Sequence, residues 1–165
     1  WFSHVGIVSV YHGRTFLFES TTLTTSPCAI QCRKVHGPQA HEPTARIREY
    51  DGDVWRFRID PRHRLFDAET QRLTDFLCSK LGDGYDYEGA LLSATRKLRL
   101  ARFIYPSART LFCSRYAMAA LKDISRVGET VSPHSYNPAR MARDLVYWET
   151  YQPLGVAGSE SIRLK

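Results

Sequence analysis

Three side chains in this sequence could together break an acyl bond, and the first is Cys113. It stands where an extended stretch passes into a run of strong helix formers. In the first turn of a helix, unpaired N–H groups and the helix dipole favour a thiolate, the nucleophilic form of cysteine, and Arg109 and Arg115 add positive charge nearby. The position predicts a nucleophile. The alternative is a small core residue, because Cys113 shares an apolar stripe with Ala117 and Leu121.

The other two side chains are His4 and Glu19, and a hairpin is expected to bring them together. His12-Gly13 lies between two β-favouring runs as a two-residue turn, in which Gly supplies a positive φ and His tolerates one. The resulting register pairs Tyr11 with Arg14, Val8 with Leu17, Gly6 with Glu19 and His4 with Thr21. His4 and Glu19 then become diagonal neighbours on one face, roughly 7 to 8 Å apart between their backbones.

A glutamate beside a histidine orients the ring and favours its protonated form, as the third member of a nucleophilic triad does. Two alternatives stay open. His4 could be a half-buried polar residue without a catalytic role, and a three-residue loop would shift the register and move Glu19 to the opposite face. In that case Asp60 or Asp86 could supply the acid. His134 could line the same cleft, but a turn residue in a Pro-flanked loop is the favoured interpretation.

Elements able to position these residues follow from hydrophobic periodicity, with strands in the first half and helices in the second. We expect strands over 2–11, 15–20 and 54–59, with shorter ones near 29–35 and 45–50 inside a segment of loops. Helices are expected from an Asp67 cap through Leu81, over 85–100, over 113–122 and over 138–145. Residues 1–152 then form a single domain, and residues 153–165 a loosely held tail.

Composition places the chain among globular domains. Its 165 residues suit a single domain, and 43% hydrophobic with 24% charged residues excludes global disorder. No apolar run approaches 18 residues, so we expect no membrane span. The net charge of +6 suits nucleic acid, anionic lipid or an anionic polymer such as cell wall without selecting among them.

The four cysteines are too few for a disulfide scaffold and are expected to be mainly thiols. Cys28 and Cys32 could still pair in an oxidising compartment. With His36 and His41 they also form four potential zinc ligands, but the short gap between the Cys pair and the His pair is unlike that of a zinc finger. We therefore expect neither a metal nor another cofactor.

Four short motifs, taken in order, resemble the circularly permuted papain-like enzymes of the NlpC superfamily, and among them the YiiX-like branch. The motifs are Phe2-Ser3-His4-Val5-Gly6-Ile7-Val8, Phe18-Glu19-Ser20, Tyr85-Asp86-Tyr87-Glu88-Gly89-Ala90-Leu91 and Leu111-Phe112-Cys113-Ser114-Arg115. In that family the histidine precedes the polar residue and the cysteine, as it does here. Members usually carry a strand with a Gly-Asp step before the histidine, for which this sequence has no counterpart.

The resemblance implies an α+β fold, an antiparallel sheet or partly open barrel packed against helices. It also implies Cys113 as nucleophile, His4 as base and Glu19 as orienting group, with Tyr87 and Ser114 in the substrate and oxyanion region. The expected activity is hydrolysis of an amide or peptide bond through an acyl-enzyme. The expected substrate is a peptide, of the cell wall in particular, which would place the protein outside the cytoplasm or in an assembly.

Three alternatives remain. The same fold could act on lipid esters as an acyltransferase or esterase, or it could be a catalytically silent binding module of a larger protein assembly. Nucleic-acid binding is less favoured, because no recognised motif accompanies the arginine-rich stretches. Those stretches are Arg56, Arg58, Arg62 and Arg64, and then Arg96, Lys97, Arg99 and Arg102.

Overall fold

The computed structural model describes residues 2–85, 112–147 and 151–153. Within these ranges the chain is a mixed α and β structure, with an open three-stranded antiparallel sheet, a two-stranded ribbon and four α-helices. The strands are β1 (Gly6–Tyr11), β2 (Arg14–Thr21), β3 (Gly37–His41), β4 (Phe57–Ile59) and β5 (Tyr151–Pro153). The helices are α1 (Pro43–Glu49), α2 (Asp67–Ser79), α3 (Cys113–Asp123) and α4 (Pro138–Tyr147). The expected combination of an antiparallel sheet with helices is confirmed at this level.

The β1–β2 hairpin has the predicted register. His12 and Gly13 form the turn with φ of 48° and 72°, and Gly6 lies opposite Glu19. At Gly6 the two strands approach so closely that a Cβ would meet Leu17 Cδ1 at 2.8 Å and the Phe18 carbonyl at 2.9 Å. The hairpin therefore needs glycine at this position, two residues after His4.

The third strand was not predicted. β3 pairs antiparallel with β2 over Gly37–His41, where the sequence lacks the alternation of a strand, and all five residues are buried. The short strand expected near 29–35 is wrong, because this stretch contains only an isolated bridge between Cys28 and Arg33. Pairing with β2, rather than local propensity, makes 37–41 a strand.

The strand expected near 45–50 is also wrong, because α1 occupies this segment. Pro43 stands in the first turn of the helix, and the Glu42 side chain accepts hydrogen bonds from the N–H groups of Thr44 and Ala45 at 3.0 and 2.6 Å. Proline and a capping carboxylate together mark a helix start. The capping signal therefore prevailed over the β-favouring residues that follow.

The core lies between the sheet and helices α2 and α3. α3 is buried along most of its length and packs against α2, β1 and β2. Phe18, Leu77 and Met118 are fully enclosed, and the Tyr116 hydroxyl donates to the Leu77 carbonyl at 2.7 Å. Between α2 and β1, the hydroxyls of Thr74 and Ser9 lie 2.7 Å apart. These contacts hold the helices against the face of the hairpin.

The remaining elements agree with expectation in type and differ at their ends. β4 covers three residues of the expected 54–59 strand, and α2 begins at Asp67 but takes Phe66 as its N-cap residue. α4 extends two residues beyond the predicted end. The helix expected over 85–100 lies almost wholly outside the described residues, as does the tail from 154 onward.

None of the helices in the described ranges has the length and apolarity needed to cross a bilayer.

Candidate active site

His4 and Glu19 meet as the hairpin register predicts. His4 precedes β1, and its Nε2 lies 2.6 Å from Oε2 of Glu19 in β2. Glu19 is almost fully buried, with 2% of its side chain exposed, while His4 keeps 24% exposed. The pair is therefore open on the histidine side, where a reactant could approach.

Cys113 completes the cluster from the opposite element. It is the first residue of α3, directly after the N-cap residue Phe112, and is 6% exposed. Its side chain lies close enough to His4 to raise the pKa of the ring, through hydrogen bonding and through charge. The predicted helix start is confirmed, and it brings the cysteine to the His4–Glu19 pair.

The protonation state of His4 follows from these neighbours. Burial by itself lowers the pKa of His4, but hydrogen bonds with Cys113 and Glu19, and the negative charges of both, raise the pKa to about 10. His4 is consequently an imidazolium at neutral pH. A cationic imidazole beside a cysteine favours the thiolate form of that cysteine.

Glu19 is held on its far side by an arginine. Burial raises the pKa of Glu19, and hydrogen bonds from His4 and Arg46 more than compensate, so that the pKa lies below its usual value. Nε of Arg46 donates to Oε1 of Glu19. His41 Nε2 lies 3.8 Å from the same oxygen, but burial keeps the pKa of His41 low, so this ring is neutral at pH 7. Glu19 therefore carries its charge between two cations.

One aromatic ring stacks on His4, and two others pack around Phe2, two residues before it. The ring of Tyr50 stacks on the His4 imidazole at a centroid distance of 6.5 Å, and the Tyr50 hydroxyl lies 3.3 Å from the hydroxyl of Ser3. Phe2 contacts the rings of Trp55 and Phe57 edge-on, and Trp55 is 51% exposed. This surface was not identified from the sequence, since its residues come from separate segments.

The two residues expected in the substrate region differ in outcome. The hydroxyl of Ser114 is buried and donates to the carbonyl of Tyr136 at 2.7 Å, so it binds α3 to the following segment. Only the backbone N–H of Ser114, in the first turn of α3, stays a candidate for an oxyanion. Tyr87 lies outside the described residues, as does Asp86.

The contacts described for His4, Glu19 and Cys113 do not involve the other candidate residues. Asp60 accepts hydrogen bonds from the backbone and side chain of Arg62 and caps a short 3₁₀ turn, while His134 lies exposed in another such turn. Cys28 and Cys32 are free thiols, the first buried and the second exposed. In the part of the chain that the structure describes, no three His, Cys, Asp or Glu side chains converge as a metal site.

Two shallow surface depressions lie away from the cluster, one lined by residues 61–67 and Arg126, the other between α2, α3 and Pro133. Neither contains a candidate catalytic residue. Residues 86–111, which precede the N-cap residue Phe112, are outside the described ranges.

Arg46 is the main site residue that the sequence analysis missed. An arginine in a predicted strand gave no reason to expect burial, and only the correct placement of α1 brings it to Glu19. The capping pattern Glu42-Pro43 was the available signal.

Comparison with protein-family models, with curated proteins and with solved structures found no match to this chain.

Proposed function

We propose that this protein is a cysteine hydrolase that cleaves an amide or peptide bond through an acyl-enzyme, on a permuted papain-like fold. One observation carries the proposal: the His4 side chain contacts Glu19 at 2.6 Å and also interacts with Cys113, which stands at a helix start. A nucleophile, a base and a group that orients the base are the parts that nucleophilic acyl transfer requires.

In the first half of the reaction, the Cys113 thiolate attacks the carbonyl carbon, a C–S bond forms, and the carbonyl electrons move to oxygen. Backbone N–H groups in the first turn of α3 would stabilise this oxyanion. The oxyanion then collapses, the C–N bond breaks, and the His4 imidazolium gives its proton to the departing amine. The products of this half are an amine and a thioester on Cys113.

The raised pKa of His4 is compatible with this proton transfer. The raising effects that come from Cys113 depend on a negatively charged sulfur. When the sulfur bonds to the carbonyl carbon it loses its negative charge, and those effects vanish. The pKa of His4 then falls, so that His4 can donate its proton to the departing amine. Neutral His4 then takes a proton from water as the hydroxide attacks the thioester carbonyl. The C–S bond breaks, the carboxylic acid leaves, and the thiolate and imidazolium are restored.

Reactivity of the cysteines toward iodoacetamide, read by peptide mass spectrometry between about pH 5 and 9, tests the proposal. Cys32 serves as an internal reference because it is exposed, whereas Cys113 is 6% exposed. We expect Cys113 to react faster than Cys32 below about pH 7 in the wild type. We expect His4→Ala to remove this advantage, while His36→Ala, at an exposed loop histidine, leaves it intact.

A Cys113 that reacts more slowly than Cys32 at every pH, with or without His4, would exclude a thiolate–imidazolium pair. The binding-module interpretation would then be the better one. With a positive result, turnover assays would begin with cell-wall peptides. The cell wall is an anionic polymer, and the net charge of +6 on this protein favours binding to it.

Ester or lipid acyl transfer at the same site is the second candidate, favoured by aromatic side chains in this region. Tyr50 stacks on the His4 ring, and Phe2, two residues before His4, contacts the exposed ring of Trp55. Trp55→Ala distinguishes the two: a fall in kcat/KM for long-chain acyl esters but not for peptides supports the acyl reaction, and an equal effect on both argues against it.

A further inference from the structure

Arg46 is buried to an extent that is unusual for an arginine, with 6% of its side chain exposed. A guanidinium in this position costs free energy unless its charge and its donors are satisfied. Two carboxylates satisfy it: Nε donates to Oε1 of Glu19, and Nη1 donates to Oε2 of Glu49 at 3.3 Å. The arginine thus connects the candidate active site to a second acidic residue.

The two oxygens of Glu19 are divided between two partners. Oε2 faces His4 at 2.6 Å, and Oε1 is held by Arg46. Because a carboxylate is planar, fixing Oε1 also fixes the direction in which Oε2 points. We propose that Arg46 is a positioning residue of the hydrolase, which aims the Glu19 carboxylate at His4; this inference rests on the function proposed above.

Arg46 is itself fixed from the surface side. Glu49 is in the last turn of α1 and accepts hydrogen bonds from the hydroxyls of Thr24, Thr25 and Ser26 at 3.2, 3.1 and 2.5 Å. The loop that follows β2 thereby holds Glu49, Glu49 holds Arg46, and Arg46 holds Glu19. The direction of Oε2 is consequently set by a chain of contacts rather than by the rotamer preference of Glu19 alone.

Charge supports the same role. The titratable and charged groups that face Glu19 are His4 before β1, His41 in β3 and Arg46 in α1, with Glu49 and Cys113 one contact further on. A buried carboxylate without a cation tends to take up a proton. Arg46 keeps Glu19 ionised and able to accept from the imidazolium.

Arg46→Met tests the proposal, with Arg48→Met as the matched control, since Arg48 is an exposed arginine of the same helix. At about pH 6 we expect Arg46→Met to slow labelling of Cys113 about tenfold, the effect of losing one charge-assisted hydrogen bond. Arg48→Met should label like the wild type. Arg46→Lys, which keeps the charge and one contact, should recover most of the rate.

A second readout separates positioning from a merely structural or long-range electrostatic effect. Removal of a positive charge alone would raise the pKa of His4, whereas loss of the Glu19 contact would lower it. ¹⁵N-histidine NMR titration should therefore show a lower His4 midpoint in Arg46→Met than in the wild type. A midpoint that rises or does not move overturns the proposal.

Should Arg46→Met fail to fold, Glu49→Gln carries the test, since Glu49 is partly exposed and its change leaves Arg46 in place. We expect Cys113 labelling to fall about two- to threefold in this variant; an unchanged rate overturns the positioning role.

If wild-type Cys113 shows no His4-dependent labelling at all, the proposed hydrolase fails and Arg46 loses its role with it. If the wild type shows it and folded Arg46→Met retains it, only the inference about Arg46 fails.

Discussion

At the level of single residues, the proposed chemistry depends on the placement of one imidazole. His4 keeps a quarter of its side chain in solvent, contacts Glu19 and interacts with Cys113. A histidine with one polar partner would be an ordinary structural residue. A carboxylate and a thiol at a helix start are the two partners that the proposed proton transfer requires.

The pKa of His4 predicts a pH-dependent stability. In the unfolded chain it lies near 6.5 and in the folded chain at about 10, so the folded state binds the proton more tightly. This contribution to the unfolding free energy is fully present below about pH 6.5 and is lost as the pH rises toward 10. Urea denaturation should therefore show a wild-type advantage over His4→Gln that shrinks across this window; a constant difference would contradict the assignment.

Glu19→Gln should destabilise the fold as well as the site. The amide cannot neutralise Arg46, which keeps only Glu49 as a carboxylate partner, and breaking a buried ion pair in this way costs on the order of 3 kcal/mol. Glu129→Gln, at an exposed position, should change the unfolding free energy by less than about 0.5 kcal/mol. Equal midpoints in chemical denaturation for the two variants would show that another group neutralises the charge of Arg46.

At the level of elements, two short segments bring the reactive side chains together. The β1–β2 hairpin positions His4 against Glu19, and the first turn of α3 positions Cys113 against His4. α1 adds Arg46 behind them. None of these elements is long, so the geometry of the site depends on how closely they approach one another.

Gly6→Val tests the closeness of the hairpin. A Cβ at this position would meet Leu17 Cδ1 at 2.8 Å and the Phe18 carbonyl at 2.9 Å, so β1 must move away from β2 and carry His4 with it. We expect Cys113 labelling at about pH 6 to fall toward the His4→Ala value. Gly128→Ala is the control, because its nearest neighbour would lie at 3.9 Å. Wild-type labelling in a folded Gly6→Val would show that the strand spacing is not critical.

Ser114→Ala tests the separation of structural from chemical roles at the start of α3. Loss of the hydroxyl leaves the buried Tyr136 carbonyl without this donor, which costs about 1 to 3 kcal/mol. The backbone N–H of residue 114 is unaffected. We therefore expect a lower thermal midpoint with unchanged Cys113 labelling below that midpoint, and a parallel loss of labelling would instead indicate a direct role of the hydroxyl.

At the level of the whole molecule, the site is built on a core that holds α2 and α3 against the sheet. Leu77 is fully buried there, and its carbonyl accepts from the Tyr116 hydroxyl. Leu77→Ala should lower the unfolding free energy by about 2 to 5 kcal/mol, a large part of the total for a domain of this size. Leu23→Ala, at an 87% exposed side chain, is the control in the same denaturation experiment; similar losses in both would contradict the placement of the core.

The sequence by itself determined the parts of this protein that depend on local chemistry. A two-residue turn with Gly at its second position sets a hairpin register, and the register alone predicts the contact between His4 and Glu19. A run of strong helix formers after Cys113 likewise predicts the start of α3. Both predictions succeed because the deciding residues are adjacent in the chain.

Only the tertiary structure decided the parts that depend on distant pairing. β3 has no strand pattern of its own and exists because β2 offers it an edge. α1 starts at a local signal, Glu42 and Pro43, but only packing places this helix against β2. Arg46 reaches Glu19 only after both of these elements are in place. The interaction between Cys113 and His4, which are 109 residues apart, likewise depends on α3 packing against the hairpin. Local patterns carry no information about such contacts, because the packing free energy that creates them comes from segments far apart in the sequence.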